Sequence, residues 1–306
     1  MQAVSSTENL PTQYYTWQNY RCAYEVHNLN NNDSIALLLI QPIGVGLSRK
    51  FWSRFCQQWY AAGQRNSIYN PDLLGCGESD MPHVAYHPID WAEQLHYFLE
   101  NVVKKPVVLV VQGALFPVAI ELVQLAKESN LIRGLVLSGP PPWPLISKNT
   151  SDRKHKVNWN IFDSPVGRAF FEYARSRKFL RNFSIRQLFA KAKDVDEEWV
   201  NTLKIGAKNA ASRHAVFSFL AGFWRQDYQN AIAQIHQPTL VVMGEFASSI
   251  SSKGKQETPD ERLADYLAHL PKGRGVKIAG RNVLPYEETA EFVNAIASFI
   301  NELSFS

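Results

Sequence analysis

The chain has 306 residues and a mass of 34.8 kDa, which suits one large α/β domain or a core with an inserted lobe. Hydrophobic residues at 45% and charged residues at 20% exclude disordered and low-complexity classes, and a net charge of +4 selects no partner by itself. The apolar runs are strand-length, well short of the ~20 residues of a membrane span, and the polar start Met1–Gln13 has no secretory pattern.

Tyr14–His27 reads as one or two amphipathic strands and Ser34–Gln41 as a buried strand. Ser48–Ala62 follows at helical spacing, with Phe51, Phe55 and Trp59 on one face. Ser67–Asp72 is a short strand running into the loop Leu73–Pro82, and Asp90–Val103 is a helix with Asp90 at its N-terminus. Pro106–Gln112 and Ile132–Ser138 are buried strands flanking the helix Leu115–Ser129. Further on come the strand Pro238–Gly244, the helix Pro259–Leu270, the strand Gly275–Ala279 and the helix Tyr286–Leu303. Continuous apolar strands alternating with amphipathic helices mean a mainly parallel sheet covered on both faces.

A helical segment of different texture interrupts this series. It gives three parts: a core over 1–140, an insertion over 141–232, and the rest of the core over 233–306. The breaker Gly139–Pro144 opens the insertion. Between Lys148 and Lys193 twelve Lys or Arg face three acids, a surplus of +9, interleaved with Phe170, Phe171, Tyr173, Phe179, Phe183 and Phe189. The aromatic face is expected to pack over the core as a lid. The charge is most simply a solvated face; its sharper reading is a surface for anionic membrane lipid or an acidic protein, with no nucleic acid expected. Asp163 and Asp194 read as N-terminal helix caps or solvated groups, and His155 as solvated.

The sequence resembles the α/β-hydrolase superfamily over nearly its whole length, on five strings in the family's order. They are Gln41-Pro42-Ile43-Gly44-Val45-Gly46 after the first long strand, Pro71–Asp80 as the D-x-x-G-x-G-x-S-D loop, and Pro106–Phe116 as the strand entering the nucleophile elbow. Gln237–Glu245 is similar to the strand whose end bears the acid, and Gly280–Glu288 to the G-x-G-H-x-P-x-x-E turn. The resemblance implies an eight-stranded, mostly parallel sheet flanked by helices, with an inserted helical lid. Gly139–Trp143 also resembles the short P-x-W signature of members acting on prenyl or phytyl esters.

That superfamily's chemistry needs a nucleophile, a carboxylate and a histidine in that chain order. On the matching positions this chain carries Gly113, Ala247 and Val283. Lys105–Glu128 offers no Ser, Thr, Cys or Asp, and Gly275–Ser306 offers no histidine, so a shift of register restores neither. Val111 and Leu115 replace the small residues that normally flank the nucleophile, which argues against a tight elbow. Pro42 removes an N–H from the oxyanion loop. Cys76, between two glycines, is the one candidate thiol nucleophile, and Glu245 the one nearby acid; both read more simply as bystanders. Asp72, Ser79 and Asp80 read as braces of their loop.

The sequence therefore points to a member without Ser–His–Asp that binds a long apolar molecule or a protein partner. The residues expected to line its cleft are Ile43, Gly44, Val45, Gln112, Gly113, Ala114, Trp143 and Val283. The alternative is an active ester or lipid hydrolase using displaced residues. No cofactor and no metal are expected. Three scattered cysteines, Cys22, Cys56 and Cys76, suggest a reducing, cytoplasmic setting, with peripheral membrane association through the lid as a further expectation.

Overall fold

The computed structural model describes residues 10–29, 35–251, 254 and 256–304. Residues 1–9 of the polar start and Ser34, the expected first residue of a strand, lie outside the described residues. β1 (Gln13–Trp17) and β2 (Tyr20–His27) form an antiparallel hairpin. Its two turn residues, Gln18 and Asn19, both take positive φ, the two-residue turn whose twist matches that of the strands. β3 (Ala36–Ile40), β4 (Ile68–Pro71), β5 (Val107–Gln112), β6 (Ile132–Ser138), β7 (Thr239–Gly244) and β8 (Gly273–Ile278) complete one eight-stranded sheet in the order β1-β2-β4-β3-β5-β6-β7-β8. β2 runs antiparallel to β4, and every pairing from β4 through β8 is parallel.

The side-chain period of two divides each central strand between two cores. Ala36, Leu38 and Ile40 of β3 join Val107, Leu109 and Val111 of β5 on one face. Leu37 and Leu39 join Val108 and Val110 on the other. α1 (Ser53–Ala61) and α12 (Thr289–Ser304) cover the second face; α2 (Pro88–Phe98), α3 (Phe116–Leu125) and α10 (Pro259–His269) cover the first. This two-sided burial is why β3 throughout and β5 from Val107 to Val111 are apolar at successive positions rather than at alternate ones. None of the described helices is long and apolar enough to cross a membrane.

The second expected helix begins earlier than its sequence suggests. α2 starts at Pro88 behind His87, and Asp90 sits in the first turn, accepting the His87 N–H at 2.7 Å, so it closes a capping box rather than opening the helix. α2 also stops at Phe98 and passes into a wider π-turn over Leu99–Val103. The Asp72 loop is braced as its residues suggest. Ser79 Oγ accepts the Ala23 N–H and donates to Asp72 O, and Asp80 Oδ2 accepts the Arg21 N–H at 2.7 Å. Asp72 itself is fully buried against the Arg49 guanidinium and accepts the backbone N–H groups of Arg49 and Glu78.

Between β6 and β7 the described chain is helical apart from one bridge, Ser147 to Asp227, that ties the two ends of the insertion together. Its helices are α4 (Asp152–Phe162), α5 (Pro165–Ala174), α6 (Arg177–Phe183), α7 (Glu197–Gly206), α8 (Arg213–Ala221) and α9 (Gln229–Ala233). Leu180, Phe189, Trp199, Val200 and Leu203 belong to the same core as Trp52, Phe55 and Tyr286, so α6 and α7 are continuous with the main body. Phe171, Val216 and Phe217 form a small separate cluster under α4, α5 and α8. Three expectations change here. His155 is buried, edge-on to Phe223. Asp163 ends α4 rather than capping a start, and its carboxylate meets His83 Nε2 at 2.8 Å. The aromatic face does not all turn inward, for Tyr173 is 64% exposed.

Candidate ligand cavity at the ends of the parallel strands

β5 ends at Gln112, the chain turns at Gly113 with φ +63°, and a short 3-10 turn leads into α3. This is the sharp strand-to-helix elbow, and Val111 and Leu115 do not prevent it. Both are buried in the core beneath the turn, so their bulk points away from it. The turn is kept on a glycine, which tolerates its backbone angles, and the bulk of Val111 and Leu115 does not count against it. A Cβ added to Gly113 would meet nothing within 4 Å, so the glycine holds the left-handed angle beside open space.

The two partner positions converge on the elbow through Asn282. Its backbone oxygen accepts Gln112 Nε2 at 2.7 Å, and its Oδ1 accepts the Ser248 N–H at 3.2 Å. Asn282, itself the residue before Val283, thus joins the residue before Gly113 to the residue after Ala247. Asn282 Nδ2 also donates to Gln187 O, and Arg281 donates to Ser248 Oγ and Arg186 O, which fastens the insertion to these loops. Ala247 and Val283 are themselves buried. Neither Asn282 nor Arg281 stands out in the sequence; their only signal is adjacency to the position of the missing base.

A cavity of about 460 Å³ opens above the elbow. Ile43, Gly44, Val45, Gln112, Gly113, Ala114 and Val283 all line it. Trp143 does not. It is turned aside onto Tyr266 and His269, at ring separations of 5.4 and 4.2 Å, while its backbone N–H donates to Glu257 Oε1. Pro140, Pro141 and Pro142 form the wall there instead. Phe170, Phe179, Phe183 and Leu220 of the insertion roof the cavity. Beside it the insertion meets the core most closely at Gly46. A Cβ on Gly46 would lie 1.9 Å from Leu203 O, and one on Gly206 would lie 2.2 Å from Gly46 O. α7 therefore rests directly on the loop after β3.

No histidine, aspartate, glutamate or cysteine is among the described residues lining this cavity. Its hydroxyls belong to Ser248, Ser249 and Ser251. Ser248 Oγ accepts from Arg281 Nε, and Ser249 Oγ donates to Ser251 O. Cys76 is buried in its loop away from the cavity, and burial pushes its thiol well above the ordinary range, the wrong direction for a nucleophile. Glu245 is exposed and outside the lining.

Sequence separation hid a second cluster. His83, Asp163 and His214 place their ligand atoms within 4.8 Å of one another, the only such group of metal-ligating side chains among the described residues. The His83 and His214 rings are stacked, 4.2 Å apart and 13° from parallel. Stacked parallel rings hold their lone pairs in separate planes and cannot both aim at one ion about 2 Å away. The three residues instead form a clip between the core loop and the insertion. His214 is buried without a hydrogen-bond partner, and burial, with Arg213 and His83 adding to it, lowers its pKa to about 4.

The model of the alpha/beta hydrolase family matches residues 37–296. No match was found among curated protein sequences. Similar solved structures include a thermophilic esterase from Thermogutta terrifontis, 17% identical, with a TM-score of 0.72 over 96% of this chain and 99% of that one. An enol-lactonase from Burkholderia xenovorans is 11% identical, with a TM-score of 0.70 over 94% of this chain and 100% of that one. A bromoperoxidase from Bacillus anthracis is 19% identical, with a TM-score of 0.69 over 92% of this chain and 96% of that one. At these identities the likeness carries the fold.

Proposed function

The chain belongs to the alpha/beta hydrolase family, and we propose that within it this protein binds a long apolar small molecule without hydrolysing it. The single observation that carries this reading is the lining of the cavity. The elbow is formed at Gly113 without a side chain, and although the hydroxyls of Ser248, Ser249 and Ser251 line the space above it, no group able to take their proton near pH 7 is among the described lining residues. Hydrolysis needs both in one place. What the cavity does offer is an apolar, aromatic-roofed volume in the range that encloses small ligands. The insertion acts in this reading as a lid that keeps water from the ligand.

The test has two arms. Purified protein is assayed on short- and long-chain acyl esters, and separately titrated with a neutral polyene ester whose fluorescence rises on burial. Binding without turnover is the expected result. Ester turnover abolished by substituting one of the cavity serines would favour an active hydrolase instead, and silence in both arms would remove the ligand-binding reading.

A further inference from the structure

The wall of the cavity is not electrically neutral. Its described lining contains two guanidinium groups, Arg225 and Arg262, and no carboxylate. Arg262 is paired in charge, since Glu257 Oε2 lies 2.6 Å from its Nε and both side chains are buried, although its Nη2 lacks a hydrogen-bond partner among the described residues. Arg225 has no such partner. No hydrogen bond or ion pair to its guanidinium exists among the described residues, and its Nε is buried without one. The Trp224 ring lies beside it, 5.3 Å from the guanidinium carbon. Burial lowers its pKa, and no acid offsets this.

Leaving a partly buried cation unpaired is costly. In the insertion Arg175 meets Glu172, Arg177 and Arg181 meet Glu197, and Arg213, which has no acid, at least donates to Ala210 O, whereas the Arg225 guanidinium has neither among the described residues. Arg225 also borders a neighbouring depression lined by Pro144, Leu145, Lys148, Asn149 and Thr150, of which Lys148 and Asn149 are exposed. It therefore stands at the edge of the cavity toward solvent, where a head group enters last.

Building on the ligand-binding reading above, we infer that the cavity takes an amphipathic monoanion, a long-chain carboxylate. Its head group pairs with Arg225 and its chain lies along the apolar wall. Arg225 is the one described cation of the cavity lining without an acid beside it, which matches one negative charge; Lys148 lies in the neighbouring depression and not in that lining. A phosphate monoester, carrying nearly two, would leave excess negative charge against apolar walls. The carboxylate supplies the acceptors that the guanidinium lacks, a charge-assisted contact worth about 1.5–3 kcal/mol, or roughly 10- to 100-fold in affinity.

The experiment titrates the full chain with cis-parinaric acid, its methyl ester, and dodecyl phosphate as a competitor. The acid should bind at least about 10-fold tighter than the ester. Arg225→Gln should remove that preference by weakening the acid far more than the ester, and Arg225→Lys should keep most of it. Because the acid-to-ester ratio is read on unaltered protein, the inference stays testable if Arg225→Gln fails to fold. Equal binding of acid and ester would overturn the anion assignment and leave an apolar site. A preference that survives Arg225→Gln would overturn the role of Arg225. Tighter competition by the phosphate than by a matched carboxylate would overturn the monoanion. Binding of none of the three would remove the ligand-binding reading itself.

Discussion

At Gly113 the backbone stands at φ +63° with nothing within 4 Å of where a Cβ would sit, so a serine fits there at a backbone cost of about 1 kcal/mol. Gly113→Ser should fold and still fail to hydrolyse esters, because Val283 supplies no base and Ala247 no carboxylate. Triad groups act together, and loss of one costs on the order of 10⁴ in rate. The least set worth assaying is Gly113→Ser with Ala247→Asp and Val283→His; turnover by the single variant well above background would reveal a base that this cavity does not display. A second residue carries more of the stability than its loop position suggests. Asp72 is fully buried against Arg49, itself buried and also touching Glu25 and Glu78. Asp72→Ala should cost about 3 kcal/mol, because it takes the most buried of three carboxylates from Arg49 and leaves the Arg49 and Glu78 N–H groups without their acceptor. A loss below about 1 kcal/mol in chemical denaturation would refute that. The bracing role of Asp72, Ser79 and Asp80 is legible from turn chemistry, which is local. The turning aside of Trp143 is not, since it depends on Tyr266 and His269, more than a hundred positions away.

Among the elements, α7 and the loop after β3 meet backbone to backbone, with Gly46 and Gly206 leaving no room for a side chain at the contact. Gly206→Ala should therefore unseat α7 and lower the melting temperature by several degrees, although alanine favours helices elsewhere. A rise in melting temperature would show that propensity wins and the contact yields. The outer helices differ from α7. Val157, Ile161, Val166 and Tyr173 of α4 and α5 are half or more exposed, beside Arg153, Lys154, Lys156 and Arg168. Exposed apolar groups ringed by cations suit an anionic bilayer surface. Co-sedimentation with phosphatidylserine vesicles should exceed that with neutral vesicles and fall as salt rises toward roughly 0.5 M; equal uptake, or none, would exclude it. Strands are the most legible elements because burial on both faces writes an unbroken apolar run. The start of α2 and the end of α4 escape a sequence reading because the first is shifted by a proline and the second is fixed by His83 from another part of the chain.

For the molecule as a whole, histidine burial predicts how stability varies with pH. His27, His155 and His214 all have pKa values lowered mainly by burial, His214 to about 4. A histidine whose folded pKa lies below its unfolded value of ~6.5 takes up its proton first in the unfolded chain. Its contribution is therefore complete above about pH 6.5 and lost as pH falls toward the folded value. Glu121, Glu257 and Glu287 act in the opposite sense, since burial raises their carboxyls and the folded state protonates first. Those carboxyls start from ~4.3, so the histidines govern the upper part of the interval. Stability should then decline from about pH 7 to pH 5, with His214 responsible for on the order of 2 kcal/mol by pH 4. Its position lends that loss a structural address. His214 stacks on His83, and His83 bonds Asp163, so the clip joins the core loop to the half of the insertion that shares least with the main body. Acid should loosen α4, α5 and α8 before it loosens α6 and α7, whose side chains continue the core of α1. Hydrogen exchange at about pH 7 and pH 5 measures this directly, with His214→Phe as the comparison. The substitution should flatten the pH dependence of exchange in α4 and α8; an unchanged slope, or uniform loosening of all the insertion helices, would show that the clip does not set it.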